Sequence, residues 1–283
     1  MYPKLLSLFG GKVTIYTYSV CIAIGLIVGA VVFSLLCKKF KMSNKAYDFY
    51  SFVSLLTVVI GFIFAYLFQD LYEVLGGNGS NIVKDFKALF AGEGFKMSGG
   101  ITFMGGLIGG GVFFIACTLL HKDKSVRKEF PLMADIAAPV ILVAHGFGRI
   151  GCFFGGCCYG AVTDSPLGIS YPVDGVWQNR YPTQLYEALF CFLAFAVFML
   201  VLAKTQKRTG NTLLYYAVSY SVFRFFLEYL RADHRGGADI GLSPSQVQSL
   251  VLVIAVVAFI LIKKFWWDRR KAADRSQSDT TKN

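Results

Sequence analysis

Charge is what this chain has least of. The 28 Lys and Arg and 17 Asp and Glu make up 16% of 283 residues, against 55% hydrophobic residues and a mean hydropathy of +0.55. So little charge cannot clothe a soluble domain of this size, and most of the surface must face lipid. The formal charge of +11 would suggest nucleic acid as a partner of a soluble protein. In a membrane protein it reports basic cytoplasmic loops instead, and no nucleic-acid partner is expected. Histidine is rarer still, with His121, His145 and His234 the only three, which leaves few imidazoles for proton transfer or metal binding. Also missing are an internal repeat and a cleavable signal peptide. The first apolar run is longer than a signal core and is followed by no A-x-A site, so the first span is expected to be retained.

Apolar runs of about 18 residues or more read as membrane helices. They lie near Val13 to Cys37, Phe49 to Leu75, Ile101 to Leu120, Leu132 to Phe154, Leu185 to Ala203, Thr212 to Leu230 and Val247 to Ile262. The expected fold is therefore an all-α integral membrane protein of seven transmembrane helices. The loops after the first, third and fifth runs, together with the C-terminal tail, hold 18 Lys and Arg, and the opposite side holds 8. The positive-inside rule then places the N-terminus outside and the C-terminus in the cytoplasm. The two longest connections, Gly76 to Gly100 and Cys157 to Gln184, fall outside and are expected to form a small extracytoplasmic cap. A transmembrane domain over 1–265 is expected to end in a disordered cytoplasmic tail, 266–283, with Trp266 and Trp267 as an interfacial anchor.

Two basic residues fall inside predicted spans, Arg149 and Arg224. Intramembrane arginines are costly and mark function by default. Each needs an anionic partner, and Glu187 and Glu228 are the buried acids at hand, Glu228 one helical turn beyond Arg224. One reading makes Arg149 with Glu187, and Arg224 with Glu228, structural ion pairs. The other has the two planar guanidinium groups grip a phosphate, which in a membrane is that of a lipid head group. Around Arg149 the stretch HGFGRIGCFFGGCCYG is dense in glycine, where backbone can approach a ligand. The glycines of SGGITFMGGLIGGG are more readily explained as a helix-packing face.

An ordered set of motifs resembles the prolipoprotein diacylglyceryl transferase family. Gly148, Arg149, Ile150, Gly151, Cys152 and Phe153 fall on its G-R-x-G-N-F signature. Thr102 to Gly109 (TFMGGLIG) resembles S-F-H-G-G-L-I-G, Tyr181 to Ala188 (YPTQLYEA) resembles H-P-S-Q-L-Y-E, and Phe223 to Asp233 resembles F-R-x-x-x-E-x-x-R-x-x-D. The resemblance runs from about Tyr18 to about Gln248, and the set is more specific than any one motif. It implies transfer of the diacylglyceryl group of phosphatidylglycerol to the lipobox cysteine thiol of prolipoproteins, in a bacterial inner or plasma membrane. A thioether forms and glycerol phosphate leaves. It also implies Arg149, Arg224 and Tyr18 as catalytic residues, with Tyr220, Glu228, Arg231, Gly148, Gly151, Gly105 and Gly106 binding substrate. Met104 and Tyr181 stand where the family has histidines, and Cys152, Gly155 and Cys157 where it has Asn, Asn and Glu. A thioether takes no proton, so the base proposed for the family is missing at Met104.

His145, the one histidine in a predicted span, lies four residues before Arg149 and on the same helical face, which makes it a candidate base; a buried histidine bonded to a carbonyl fits as well. Of seven cysteines, Cys152, Cys157 and Cys158 alone cluster. Small residues packed at a helix end is the expectation there. A disulfide on the outer face is the main rival. The C-x4-C-C spacing is not a familiar zinc pattern, so neither metal nor cofactor is expected. Two other functions stay open, a family paralogue that binds lipid or modifies another acceptor, and a small-anion transporter, against which the lack of broken helices in paired repeats counts.

Overall fold

The structure, a computed structural model, describes residues 4–8, 13–75, 80–91, 103–173, 175–204, 209–231 and 241–280. In chain order these residues form strands β1 (Lys4–Leu8) and β2 (Val13–Tyr16), then helices α1 (Thr17–Lys39), α2 (Asn44–Leu75), α3 (Asn81–Phe90), α4 (Phe103–Leu120), α5 (Lys124–Lys128) and α6 (Phe130–Gly155). Strands β3 (Ile169–Val173) and β4 (Val176–Arg180) follow, then α7 (Thr183–Lys204), α8 (Asn211–Leu227) with a 3-10 turn at Glu228–Leu230, and α9 (Pro244–Thr280). Each run expected to be a span overlaps one of these helices, although the first begins in β2 and Ile101 and Thr102 of the third lie outside the described residues. Among the described residues, five helical segments are long and apolar enough to cross a membrane: α1, α2, α6, α7 and Pro244–Phe265 of α9. The apolar part of α4, Gly105–Leu120, is shorter, and α8 has 17 residues.

Two features differ from the sequence expectation. The backbone of α9 continues as helix to Thr280, through a stretch read as an irregular tail. The side chains of Trp266 and Trp267 lie outside the described residues. The all-α expectation also lacks two antiparallel hairpins, β1 with β2 and β3 with β4. Their strands are only four or five residues long, too short for period-two alternation to stand out beside the apolar runs.

The chain divides into two compact units, one of residues Met1–Leu36 and Ala134–Asn283 and the other of Cys37–Met133. In the first, α1 meets α6 closely: a Cβ on Gly25 would lie 2.9 Å from the Cβ of Phe147 and 3.0 Å from the Ala144 carbonyl oxygen. Leu142, Cys191 and Phe198 form a buried core with Phe190, Ala194, Phe195 and Tyr216 around it. Gly210, at the N-terminus of α8, has no side chain with which to cap it. Asp135 of α6 does so instead, accepting from the backbone N–H groups of Thr209, Gly210 and Thr212 at 3.0, 3.1 and 2.9 Å. A buried carboxylate there satisfies orphan donors and complements the helix dipole.

The second unit is built on α2 against α4. Gly105 and Gly109 lie so close to α2 that an added Cβ would stand 2.4 Å from the Cβ of Phe68 and 2.1 Å from the Cγ of Phe64. Gly106 faces the Gly61 carbonyl, 3.0 Å from such a Cβ. Polar contacts gather at the helix ends, where Asp70 accepts from the N–H groups of Asn81 and Ile82 to cap α3. Tyr66 also donates to buried Asp85.

Candidate functional site

Helix α6 sets the first part of the site. His145 and Arg149 are one turn apart on one face, and α7 and α8 present Glu187 and Tyr220 to them. The Glu187 carboxylate is fully buried, and its Oε1 accepts from the Tyr220 hydroxyl at 2.6 Å and pairs with Arg149 Nη2 at 3.0 Å. His145 Nε2 lies 3.4 Å from the same oxygen and accepts from Arg149 Nε at 3.2 Å. A nitrogen that accepts this bond has its lone pair committed, so His145 orients the guanidinium in this arrangement. Glu187 Oε2 is buried with no hydrogen-bond partner among the described residues.

One turn along α8 from Tyr220 comes the second part. Arg224 pairs with Glu228 Oε2 at 2.8 Å through Nη2, which also donates to Ser245 Oγ of α9 at 3.1 Å. Arg231 Nε stands 3.9 Å from Glu228 Oε2. Arg224 is buried, and its Nη1 has no hydrogen-bond partner among the described residues. An orphaned donor on a buried cation costs about 1–3 kcal/mol or more, a cost that an anionic ligand would remove.

The third part lies where α6 ends. Gly156, at φ 68°, reverses the chain. Its N–H bonds to Phe153 O at 3.1 Å and the N–H of Cys157 bonds to Cys152 O at 3.2 Å, which is the Schellman pattern. The turn folds Cys157 and Cys158 back over Cys152. The start of α7 fixes them there, as Thr183 Oγ1 donates to the Cys158 carbonyl at 2.8 Å and Gln184 Nε2 to that of Cys157 at 2.6 Å. The three Sγ atoms lie within 4.8 Å of one another. Hydrogen bonds from the Cys152 and then the Cys157 thiol pull the Cys158 thiol below its ordinary range, with Arg231 and Arg149 adding to the effect from nearby and desolvation opposing it. The β3–β4 hairpin closes over this end of α6, with buried Tyr171 edge-on to Phe153 and bonded through its hydroxyl to Gln184 Oε1 at 3.3 Å.

Of the residues expected from sequence, His145, Arg149, Tyr220, Arg224, Glu228 and Arg231 are thus drawn into two linked ion-pair clusters along α6 to α9. Tyr18 joins at Gly151, where an added Cβ would lie 3.1 Å from the tyrosine ring and 3.1 Å from the Cβ of Cys21. A Cβ on Gly148 would meet open space. Gly105 and Gly106 lie in the α2–α4 contact of the other unit. Met104 opens α4, and its side chain, like Thr102, Asp233 and His234, lies outside the described residues. Sequence reasoning missed Ser245, Thr183 and Gln184. Their signal was weak: a polar S-P-S-Q and a P-T-Q that each open a helix.

The family profile for prolipoprotein diacylglyceryl transferase matches residues 3–262. Among curated proteins, the chain is 32% identical to phosphatidylglycerol–prolipoprotein diacylglyceryl transferase 2 of Clostridium perfringens, over 91% of this chain and 93% of that one. It is 32% identical to the phosphatidylglycerol–prolipoprotein diacylglyceryl transferase of Clostridium tetani, over 94% and 99%. The protein of the same name from Rickettsia bellii is 29% identical over 89% and 92%.

Proposed function

The chain belongs to the prolipoprotein diacylglyceryl transferase family, and from that premise we propose that it moves the diacylglyceryl group of phosphatidylglycerol onto prolipoproteins, with Arg149 and Arg224 as its phosphate grip. It is a transferase and a multi-pass membrane protein. The acceptor is the lipobox cysteine thiol, which attacks the glycerol carbon bearing the phosphate ester. The C–O bond breaks and glycerol phosphate leaves with the electron pair.

The observation that carries the site assignment is the buried Nη1 of Arg224, which has no hydrogen-bond partner among the described residues. Its Nη2 is held by Glu228 and Ser245, so the fork is oriented with one donor unspent. Arg149 is held the same way, its Nε on His145 and its Nη2 on Glu187. Two guanidinium groups fixed before substrate arrives would stabilise the charge that grows on the departing phosphate without reorganising. Glu187 and Glu228 keep these buried cations tolerable. Tyr220 holds Glu187, and Tyr18, beside Gly151, is placed to bond phosphate or thiol. Gly148, open to space, gives the lipid close access to the backbone of α6, Gly151 lets Tyr18 pack against that helix, and Arg231 adds positive charge beside Glu228.

Seven spans within a domain of 1–265, N-terminus outside, in a bacterial plasma membrane, would put the β3–β4 hairpin on the extracytoplasmic side, as part of the small cap. Reporter fusions active outside at 38–45 or 122–128 would sink that orientation. The activity itself is tested by complementing a strain depleted of its own diacylglyceryl transferase, and by transfer from phosphatidylglycerol to a lipobox peptide in proteoliposomes. Rescue and thioether formation are expected; a folded protein that gives neither refutes the reading.

A further inference from the structure

The transfer needs a thiolate, because an unperturbed thiol with a pKa near 8.5 is mostly protonated at neutral pH. Nothing described so far supplies one. Met104 cannot take a proton, and the Nε2 lone pair of His145 is committed to Arg149. Among the described residues of the same unit, the one group of soft, anion-forming ligands is Cys152, Cys157 and Cys158. Their sulfurs lie within 4.8 Å of one another, where thiolates bonded to a single zinc at ~2.3 Å stand roughly 3.8 Å apart.

Three observations separate this group from small residues packed at a helix end. The convergence is built by long-range bonds, since Thr183 and Gln184 of α7, both fully buried, hold the carbonyls of Cys158 and Cys157. Cys158 also takes a left-handed backbone, φ 64°, which a side chain with a Cβ adopts at a cost. Exposure, finally, is graded: Cys152 is buried, Cys158 half-buried and Cys157 exposed, so the trio has an open side. Three fixed ligands with one position open is the arrangement of catalytic rather than structural zinc.

Resting on the transferase reading above, we propose that Cys152, Cys157 and Cys158 bind a zinc ion whose open position takes the acceptor cysteine thiol and holds it as the attacking thiolate. On binding zinc the thiol loses its proton to solvent. The metal-bound sulfur then attacks the glycerol carbon, a C–S bond forms, and the C–O bond to phosphate breaks with its electrons on the leaving glycerol phosphate. The sum is thiol plus phosphodiester giving thioether, phosphomonoester dianion and a proton, with no redox partner. A thioether is a poorer zinc ligand than a thiolate, so the product releases itself.

The test uses the full chain in detergent, exposed to zinc, desalted and analysed for metal by mass spectrometry. Stoichiometric zinc is expected, falling to background in Cys152→Ser, Cys157→Ser and Cys158→Ser. Because a serine could unsettle the loop, the unaltered chain carries a second readout. Loaded with cobalt(II), it should show thiolate-to-cobalt charge-transfer absorption that grows when a lipobox peptide is added, and does not grow with the same peptide bearing serine for its cysteine. A wild-type chain that retains no zinc, a disulfide among the three cysteines in fresh membranes, or a cobalt spectrum indifferent to the peptide would each overturn the proposal. So would undiminished transfer by metal-free protein. If neither loaded nor metal-free protein transfers lipid, the transferase reading fails instead, and metal retention still decides the zinc site by itself.

Discussion

The two units solve the problem of folding in lipid by opposite means. Among the described residues of 37–133, polar burial includes Asp85, which accepts from the Tyr66 hydroxyl, but no arginine is buried. There α2 and α4 approach until Gly61, Gly105, Gly106 and Gly109 leave little or no room for a Cβ, and the pair of Lys45 with Asp123, at 3.6 Å, sits at an exposed end. The unit formed by α1 and α6 to α9 buries Arg224, Glu187 and Glu228 and half-buries Arg149 and Tyr220, joined through ion pairs and a tyrosine-to-carboxylate bond on α6, α7 and the C-terminal end of α8. Close packing is the cheaper way to join helices in a membrane, where apolar contact gains nothing over lipid. Buried charge is the expensive way, and under the proposed function the arginines of the first unit are where an ionic substrate would be handled.

The largest effects should come from breaking the charged unit. Arg149→Ala and Arg224→Ala are each expected to cut transfer to a lipobox peptide by roughly 10²–10³-fold per folded molecule, the scale for removing one donor that stabilises transition-state charge. Lysine at either position keeps the charge but loses the fork and should recover only part of this. Transfer near wild type in both alanine variants would reduce the two clusters to structural ion pairs. A purely structural pair would instead show Arg224→Ala lowering abundance and Arg224→Ala with Glu228→Gln restoring some of it.

How much of this could be read from sequence follows the same division. Arg149 and Arg224 stood out because charge inside an apolar run is rare, and the pairing of Arg224 with Glu228 follows from a four-residue spacing. Arg149 with Glu187 was legible only by elimination, as few buried acids were on offer. Ser245 was not legible, because its bond to Arg224 joins side chains 21 residues apart on separate helices. The meeting of Cys152, Cys157 and Cys158 depends on a left-handed turn at Gly156 and on two side chains from α7, and C-x4-C-C alone encodes neither. The hairpins escaped because strands of four or five residues leave little periodic trace, and β2 opens the first apolar run.

Breaking the close-packed unit should produce a smaller effect of another kind. Gly105→Leu or Gly109→Leu forces side-chain atoms into Phe64 and Phe68, and overpacking of this sort costs about 1–3 kcal/mol. The expected result is less folded protein and a lower Tm, with transfer per folded molecule changed far less than in the arginine variants. Gly105 is the sharper of the two, since the family resemblance also places it at the substrate. If Gly105→Ala, which adds one methyl, cuts transfer per folded molecule while abundance holds, this face of α4 takes part in lipid binding and the division of labour between the units fails.

The smallest effect should come from the second unit's surface ion pair. The side chains of Lys45 and Asp123 are 78% and 36% exposed, against 10% and 7% for Arg224 and Glu228. Water screens the first pair almost fully, and holding a long lysine chain in place offsets most of what remains. Lys45→Ala should therefore change neither Tm nor transfer measurably, at low salt or high. Asp123→Ala should do more, because Asp123 Oδ1 also accepts from the Ser125 N–H at 2.8 Å and from its hydroxyl at 2.7 Å to cap α5. Those bonds hold its carboxyl below the usual carboxylate range, with Lys45 a lesser cause. The two variants thus separate charge from capping at one residue. A salt-dependent loss in Lys45→Ala as large as that in Asp123→Ala would mean that ion pairing also holds the close-packed unit together, and buried charge could then no longer be taken as the mark of the site.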